Sequence, residues 1–84
     1  MECLAITTAL LFLGWCPAGK ADTLKVYEDG NLSQAVATLS ADTPWVPIGC
    51  EAHHYTATAY SAGKLIEWTD LGEGEGCAVV RSLP

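Results

Sequence analysis

Positive charge is scarce in this chain: four Lys and Arg stand against ten Asp and Glu, for a net charge of −6 at neutral pH. A groove that follows a phosphate backbone needs clustered Lys and Arg, so nucleic acid and anionic membrane surfaces are not expected partners. Also missing are a Gly-rich phosphate loop, a nucleophile elbow and a CxxC pair, which removes the usual sequence signs of nucleotide, acyl-transfer and dithiol chemistry. Only one apolar run stands out, Leu4 to Leu13, and it is too short to span a bilayer. No cofactor is expected, and no enzyme.

That apolar run, followed by the small residues Ala18, Gly19 and Ala21, reads as a secretory signal peptide over residues 1–21, with cleavage after Ala21 and Ala18 as the second choice. Glu2 departs from the usual positive start. Residues 22–84 then form a single secreted domain. A chain of that size buries only about 60% of its unfolded surface, so its core is marginal without a staple. On this reading Cys3 and Cys16 leave with the signal, and Cys50 and Cys77 remain as an even pair bound for an oxidising compartment, where a disulfide is expected. Closing a loop of that length stabilises a fold by roughly 3 to 4 kcal/mol.

Turn residues punctuate the mature chain at short, even spacing, the pattern of an all-β fold. Thr23 to Glu28 predicts a strand, with Asp29-Gly30-Asn31 as the turn behind it. Residues 32–40 carry both a helical spacing (Leu32, Ala35, Val36, Leu39) and an alternation (Ala35, Ala37, Leu39); the strand fits its neighbours better. Trp45-Val46-Pro47-Ile48 reads as an extended piece at a sheet edge, because its prolines remove ladder donors. Glu51 to Tyr60 predicts the longest strand, Tyr55, Ala57 and Ala59 on one face and His54, Thr56, Thr58 and Tyr60 on the other. Ser61 to Lys64 is a hairpin turn, Leu65 to Thr69 returns, Asp70 to Gly76 is a loop, and Cys77 to Arg81 closes the domain. Leu24-x-x-Tyr27-x-Asp29 echoes as Leu65-x-x-Trp68-x-Asp70, which fits either a duplicated Greek-key unit or chance likeness between two hairpins. The expected architecture is a small antiparallel β-sandwich of five or six short strands stapled by one disulfide.

Few residues carry candidate chemistry. Asn31-Leu32-Ser33 is an N-glycosylation sequon placed on a turn, where Asn31 is accessible to modification in a eukaryotic host. His53 and His54 are adjacent on a strand and point to opposite faces; Glu51 and His53 share one, but two ligands are not a zinc site. Asp70, Glu73 and Glu75 on a Gly-rich backbone are the material of a calcium site without EF-hand spacing, and a solvated acidic turn is the plainer reading. His54, Glu67 and Arg81 are the residues from which a small secreted ribonuclease would be assembled, with no motif to fix their geometry.

The string Val26-Tyr27-x-Asp29-Gly30-x-Leu32 resembles the first strand and turn of the MAX-type effectors of plant-pathogenic fungi, the avirulence and ToxB-like group, and Cys77 before a final apolar strand is similar to a cysteine of that family. Lys25 stands where the family's first strand carries a cysteine. A second likeness, Tyr27-Glu28-Asp29-x-Asn31 with Trp68-x-Asp70, resembles the repeated motif of βγ-crystallins. Both imply an antiparallel β-sandwich. The first implies a secreted, monomeric, non-enzymatic effector that binds a host protein by pairing strand edges, with Thr23, Lys25 and Tyr27 on one edge and Trp45, Val46 and Ile48 on the other. The second implies an extracellular crystallin-like module, calcium-binding or antimicrobial.

Overall fold

A computed structural model describes residues 3–8, 12–74 and 77–83. In these, eight strands form: β1 (Cys3–Thr7), β2 (Phe12–Trp15), β3 (Thr23–Glu28), β4 (Ala37–Leu39), β5 (Trp45–Gly49), β6 (His53–Ser61), β7 (Lys64–Gly74) and β8 (Ala78–Leu83). They pair antiparallel throughout, in one sheet of order β2-β1-β8-β5 and a second of order β4-β3-β6-β7. The fold is an all-β sandwich, as expected, but with eight strands rather than five or six and two disulfides rather than one. The difference lies in residues 3–16. Here β1 is a central strand paired to both β2 and β8, and Leu4, Ala5 and Ile6 are completely buried.

Period-two alternation builds the core. From the second sheet Leu24, Val26, Ala37, Leu39, Tyr55, Ala57 and Ala59 face inward, and from the first Leu4, Ile6, Ala78 and Val80 meet them. Leu13, Trp15, Val46, Ile48 and Leu71 pack around this cluster. Burial of this kind stabilises by about 25 cal/mol per Å² of apolar surface, and the chain has little else to spend. Both disulfides extend a ladder of the first sheet by one rung. Leu4 pairs with Trp15 and Cys3 bonds Cys16; Gly49 pairs with Ala78 and Cys50 bonds Cys77.

The two sheets close on each other at both sides. At one, residues 40–44 join β4 to β5 through reciprocal backbone bonds between Ser40 and Thr43 of 3.1 and 3.2 Å. At the other, the Ala18 amide donates to the Glu67 carboxylate at 2.8 Å, Gly19 packs against Ile66, and Leu13 reaches Gly74. The segment after β2 therefore runs beside β7.

Several local expectations change. Residues 32–36 are a loop and only Ala37–Leu39 pairs as a strand, because Asp29 and Gly30, with φ of 53° and 74°, turn the chain out of the ladder. The acidic stretch Asp70 to Gly74 is not a loop but the end of β7, paired to His53, His54, Tyr55 and Thr56. Two irregularities make this possible, one leaving Ile66 and the other Leu71 without an opposite residue. The sequence echo does not survive in three dimensions: Leu24 is buried in the core, whereas its counterpart Leu65 is exposed. The hairpin at Ala62-Gly63 forms as expected, both residues at positive φ, which is the tight two-residue turn that matches strand twist.

Candidate binding face

The outer face of the second sheet carries the most unusual surface. Thr56 and Thr58 alternate outward along β6, and Trp68 lies directly opposite Thr58 on β7. Leu65 is three residues before Trp68, a spacing that would normally put the two on opposite faces of a strand. The unpaired Ile66 shifts the register by one, so both side chains reach the same face. Over this surface arches the β3–β4 loop, bringing Gly30 and Leu32. Gly30, Leu32, Thr56, Thr58, Leu65 and Trp68 enclose a pocket of about 290 Å³. Leu32, Leu65 and Trp68 remain 63%, 55% and 64% exposed. Beside it on the same face, the Lys25 ammonium lies 5.1 Å from the centre of the Tyr60 ring, and the Tyr27 and Tyr60 hydroxyls are 3.4 Å apart. Burial holds the Tyr27 phenol above its ordinary pKa, while its hydrogen bond to Tyr60 brings that partner below.

Two ionic clusters close one end of the sheet. His53 places Nδ1 at 2.7 Å from Asp29 and Nε2 at 2.8 Å from Glu28, with Glu51 at 3.8 Å. On the opposite face His54 places Nε2 at 2.5 Å from Asp70 and Nδ1 at 3.0 Å from Glu73. Only the imidazolium can donate from both ring nitrogens, so each ring is built to be charged. Its hydrogen bond to Asp29 holds His53 above the ordinary histidine pKa, and that to Glu73 does the same for His54. Asp29 is held below the usual carboxylate range, chiefly by His53. Asp29 also accepts the His54 amide at 3.3 Å, and its own amide donates to the His54 carbonyl at 2.8 Å. The turn that launches the β3–β4 loop is thus pinned to β6 by backbone and side chain together.

The residues singled out in sequence are dispersed over the structure. Asn31 is exposed on the turn, its side-chain oxygen accepting from the Ser33 amide at 3.2 Å and hydroxyl at 2.6 Å. Thr23, Lys25 and Tyr27 are not on an edge: β3 is paired to β4 on one side and β6 on the other, so its backbone cannot add a strand. Their side chains alternate with the buried Leu24 and Val26 and so lie on the outer face. Trp45, Val46 and Ile48 do belong to an edge strand, with Trp45 exposed and Val46 and Ile48 turned toward the core. Because the Ser82 amide donates to the Pro44 carbonyl, Trp45 and Pro47 face the open side, and Pro47 has no N–H to offer. Pro47 thus interrupts the donors of that edge two residues after Trp45.

Asp70 and Glu73 are engaged by His54, and Glu75 lies outside the described residues. Among the described residues no group of three or more His, Cys, Asp or Glu is arranged to hold a metal ion. His54, Glu67 and Arg81 are not brought together: His54 and Glu67 lie at different rungs of the β6–β7 ladder, opposite Glu73 and Ala59, and Arg81 is in the other sheet. Leu32, Leu65 and Trp68, the pocket's apolar walls, were not foreseen as one surface, because the irregularity at Ile66 that unites them has no composition signal.

Fold and site together define an antiparallel β-sandwich with a recessed apolar face on one sheet. Comparison of the chain with protein-family models, with curated proteins and with solved structures returns no match.

Proposed function

We propose that this chain is a secreted, non-enzymatic protein of the effector kind that acts by binding a host protein, and that the outer face of the second sheet is its contact surface. The observation that carries this reading is the grouping of three large, mostly exposed apolar side chains, Leu32, Leu65 and Trp68, around one pocket. Contiguous apolar surface of this sort on a small domain is where a partner sits. Trp anchors of this kind, ringed by smaller contacts, dominate binding energy. Strand-edge addition is the weaker route, given the interior position of β3 and the proline that interrupts β5. Two disulfides accord with an extracellular site of action.

The partner chemistry follows from charge. The chain carries −6, and the row beside Thr56 on this face presents Asp70. A partner segment with an apolar anchor flanked by Lys or Arg complements it. An alternating Leu-Lys decapeptide serves as a probe, followed by heteronuclear NMR on the full oxidised chain. Saturable shifts centred on Leu32, Leu65 and Trp68 are expected, with Trp68→Ala weakening the affinity about tenfold or more. Shifts spread over the carboxylates alone, or an affinity indifferent to Trp68→Ala, would overturn the assignment of this face.

A further inference from the structure

We infer that the β3–β4 loop is a movable wall of the pocket and that His53 is the latch which holds it, so that loss of one proton from His53 opens the site. The inference rests on the pocket being the binding face and adds its regulation. Gly30 and Leu32 form the loop side of the pocket, while Thr56, Thr58, Leu65 and Trp68 form the sheet side. What fastens the first to the second is the turn at Asp29. That residue adopts a φ of 53° and Gly30 one of 74°, an Asp-Gly tight turn that the Asn31 amide closes on the Glu28 carbonyl at 3.0 Å. What ties this turn to β6 is the Asp29 carboxylate, bonded to the His53 ring at 2.7 Å and the His54 amide at 3.3 Å, with the Asp29 amide on the His54 carbonyl at 2.8 Å.

His53 is surrounded by acceptors. Glu28 from β3, Asp29 from the turn and Glu51 from the segment before β6 all face it, and the Tyr55 ring meets it edge-on at 6.2 Å between centroids. The neighbouring His54, with Asp70 and Glu73 from β7, lies on the other face of the sheet. While His53 is charged, both ring nitrogens donate and three carboxylates share one cation. A neutral ring has one donor, so its other nitrogen turns a lone pair on Glu28 or Asp29, and the carboxylates repel one another unscreened. Glu28 is held in β3, whereas Asp29 is the more exposed of the two close partners and sits on the turn. It is the one to leave, and the loop leaves with it. Thr38 and the rest of β4 are unaffected, because the Val36 amide is fastened separately to the Val26 carbonyl at 2.8 Å.

The test follows the full oxidised chain by NMR from pH 5 to pH 9. The Gly30 amide, the Leu32 methyls and the Trp68 indole are expected to titrate with the midpoint of the His53 ring. Hydrogen exchange in residues 30–34, corrected for intrinsic base catalysis, should accelerate about tenfold above that midpoint. His53→Asn should abolish the titration of Leu32 and Trp68, whereas His54→Asn should leave it. Pocket signals that stay flat through the His53 titration, or that follow His54 and persist in His53→Asn, overturn the latch. The Leu-Lys decapeptide separates the two readings: it should bind at least about threefold more weakly above the midpoint. If the loop titrates and the peptide binds at neither pH, the latch stands and the assignment of the partner falls. If the peptide binds with one affinity at all pH values and the loop does not move, the reverse holds.

Discussion

Ile6→Ala in the full oxidised chain is the most direct probe of the amino-terminal strands. Ile6 is completely buried in β1, and its strand lies between β2 and β8. Truncating a buried Ile removes its transfer free energy and leaves a cavity that the neighbours fill only partly, for about 2 to 5 kcal/mol. Its place in the shared core with Leu4, Ala78 and Val80 puts the expected loss in the upper half of that range. For a domain of this length each kcal/mol lowers the thermal midpoint by about 4 to 8 °C, so the variant should melt about 12 °C or more below the parent. Urea unfolding followed by tryptophan fluorescence measures it, with mass spectrometry on the same sample to establish that residues 1–21 are present. Phe12→Ala on β2 is the control: that side chain is 64% exposed and its loss should cost under about 0.5 kcal/mol. If Ile6→Ala and Phe12→Ala melt together with the parent while the mass shows an intact amino terminus, β1 is not part of the stable core.

Two further outcomes are expected. Stability should be greatest between the carboxylate and histidine ranges. The folded pKa values of His53 and His54 are raised, so their contribution is complete below the unfolded value of 6.5 and fades as pH rises through the folded ones. Asp29, whose folded pKa is lowered, contributes above 3.8 and loses its contribution as pH falls through its folded value. Midpoints measured from pH 3 to pH 9 that climb steadily into the alkaline range would contradict this. Separately, the buried Thr58 hydroxyl makes no hydrogen bond of good geometry but lies near enough to the Tyr27 and Tyr60 hydroxyls to favour their ionised forms, so Thr58→Val should change stability by no more than about 1 kcal/mol. A loss of more than about 1 kcal/mol in a urea melt would show that the hydroxyl is engaged by a neighbour.

Much of the second sheet is legible in the sequence itself. The bounds of β3, the inward set Tyr55, Ala57 and Ala59, the hairpin at Ala62-Gly63 and the Cys50–Cys77 pairing all follow from alternation, turn chemistry and cysteine count. The amino-terminal strands are not, for a physical reason: an apolar run of about ten residues followed by small ones satisfies the requirements of a secretion signal and of a buried strand alike. The end of β7 reads as a loop in the sequence because glycine and carboxylates have little strand propensity of their own. It is the facing rungs His53–Gly74 and His54–Glu73, with the His54 ion pairs, that hold it in the sheet. The pocket was invisible because it depends on one residue without a partner, Ile66, and on a loop that returns over the sheet. Neither is encoded in a periodicity.

The closure of the two sheets along both sides bears on how the chain survives before it meets a partner. Residues 13–19 run beside the outer flank of β7, β4 meets β5 at the other side, and Pro47 removes a donor from β5, so the edges of the two sheets are partly covered or interrupted. A polypeptide beginning at Asp22 would lose that protection in two places at once. The eleven residues of β7 and the six of β8 would each face solvent along one flank, in a molecule whose core had lost Leu4 and Ile6. Such flanks are templates for fibril growth, and only the mutual repulsion of acidic copies would slow it. Residues 3–8 and 12–19, which the sequence reads as part of a cleavable leader, lie in the folded chain along the flanks to which neighbouring copies would otherwise add.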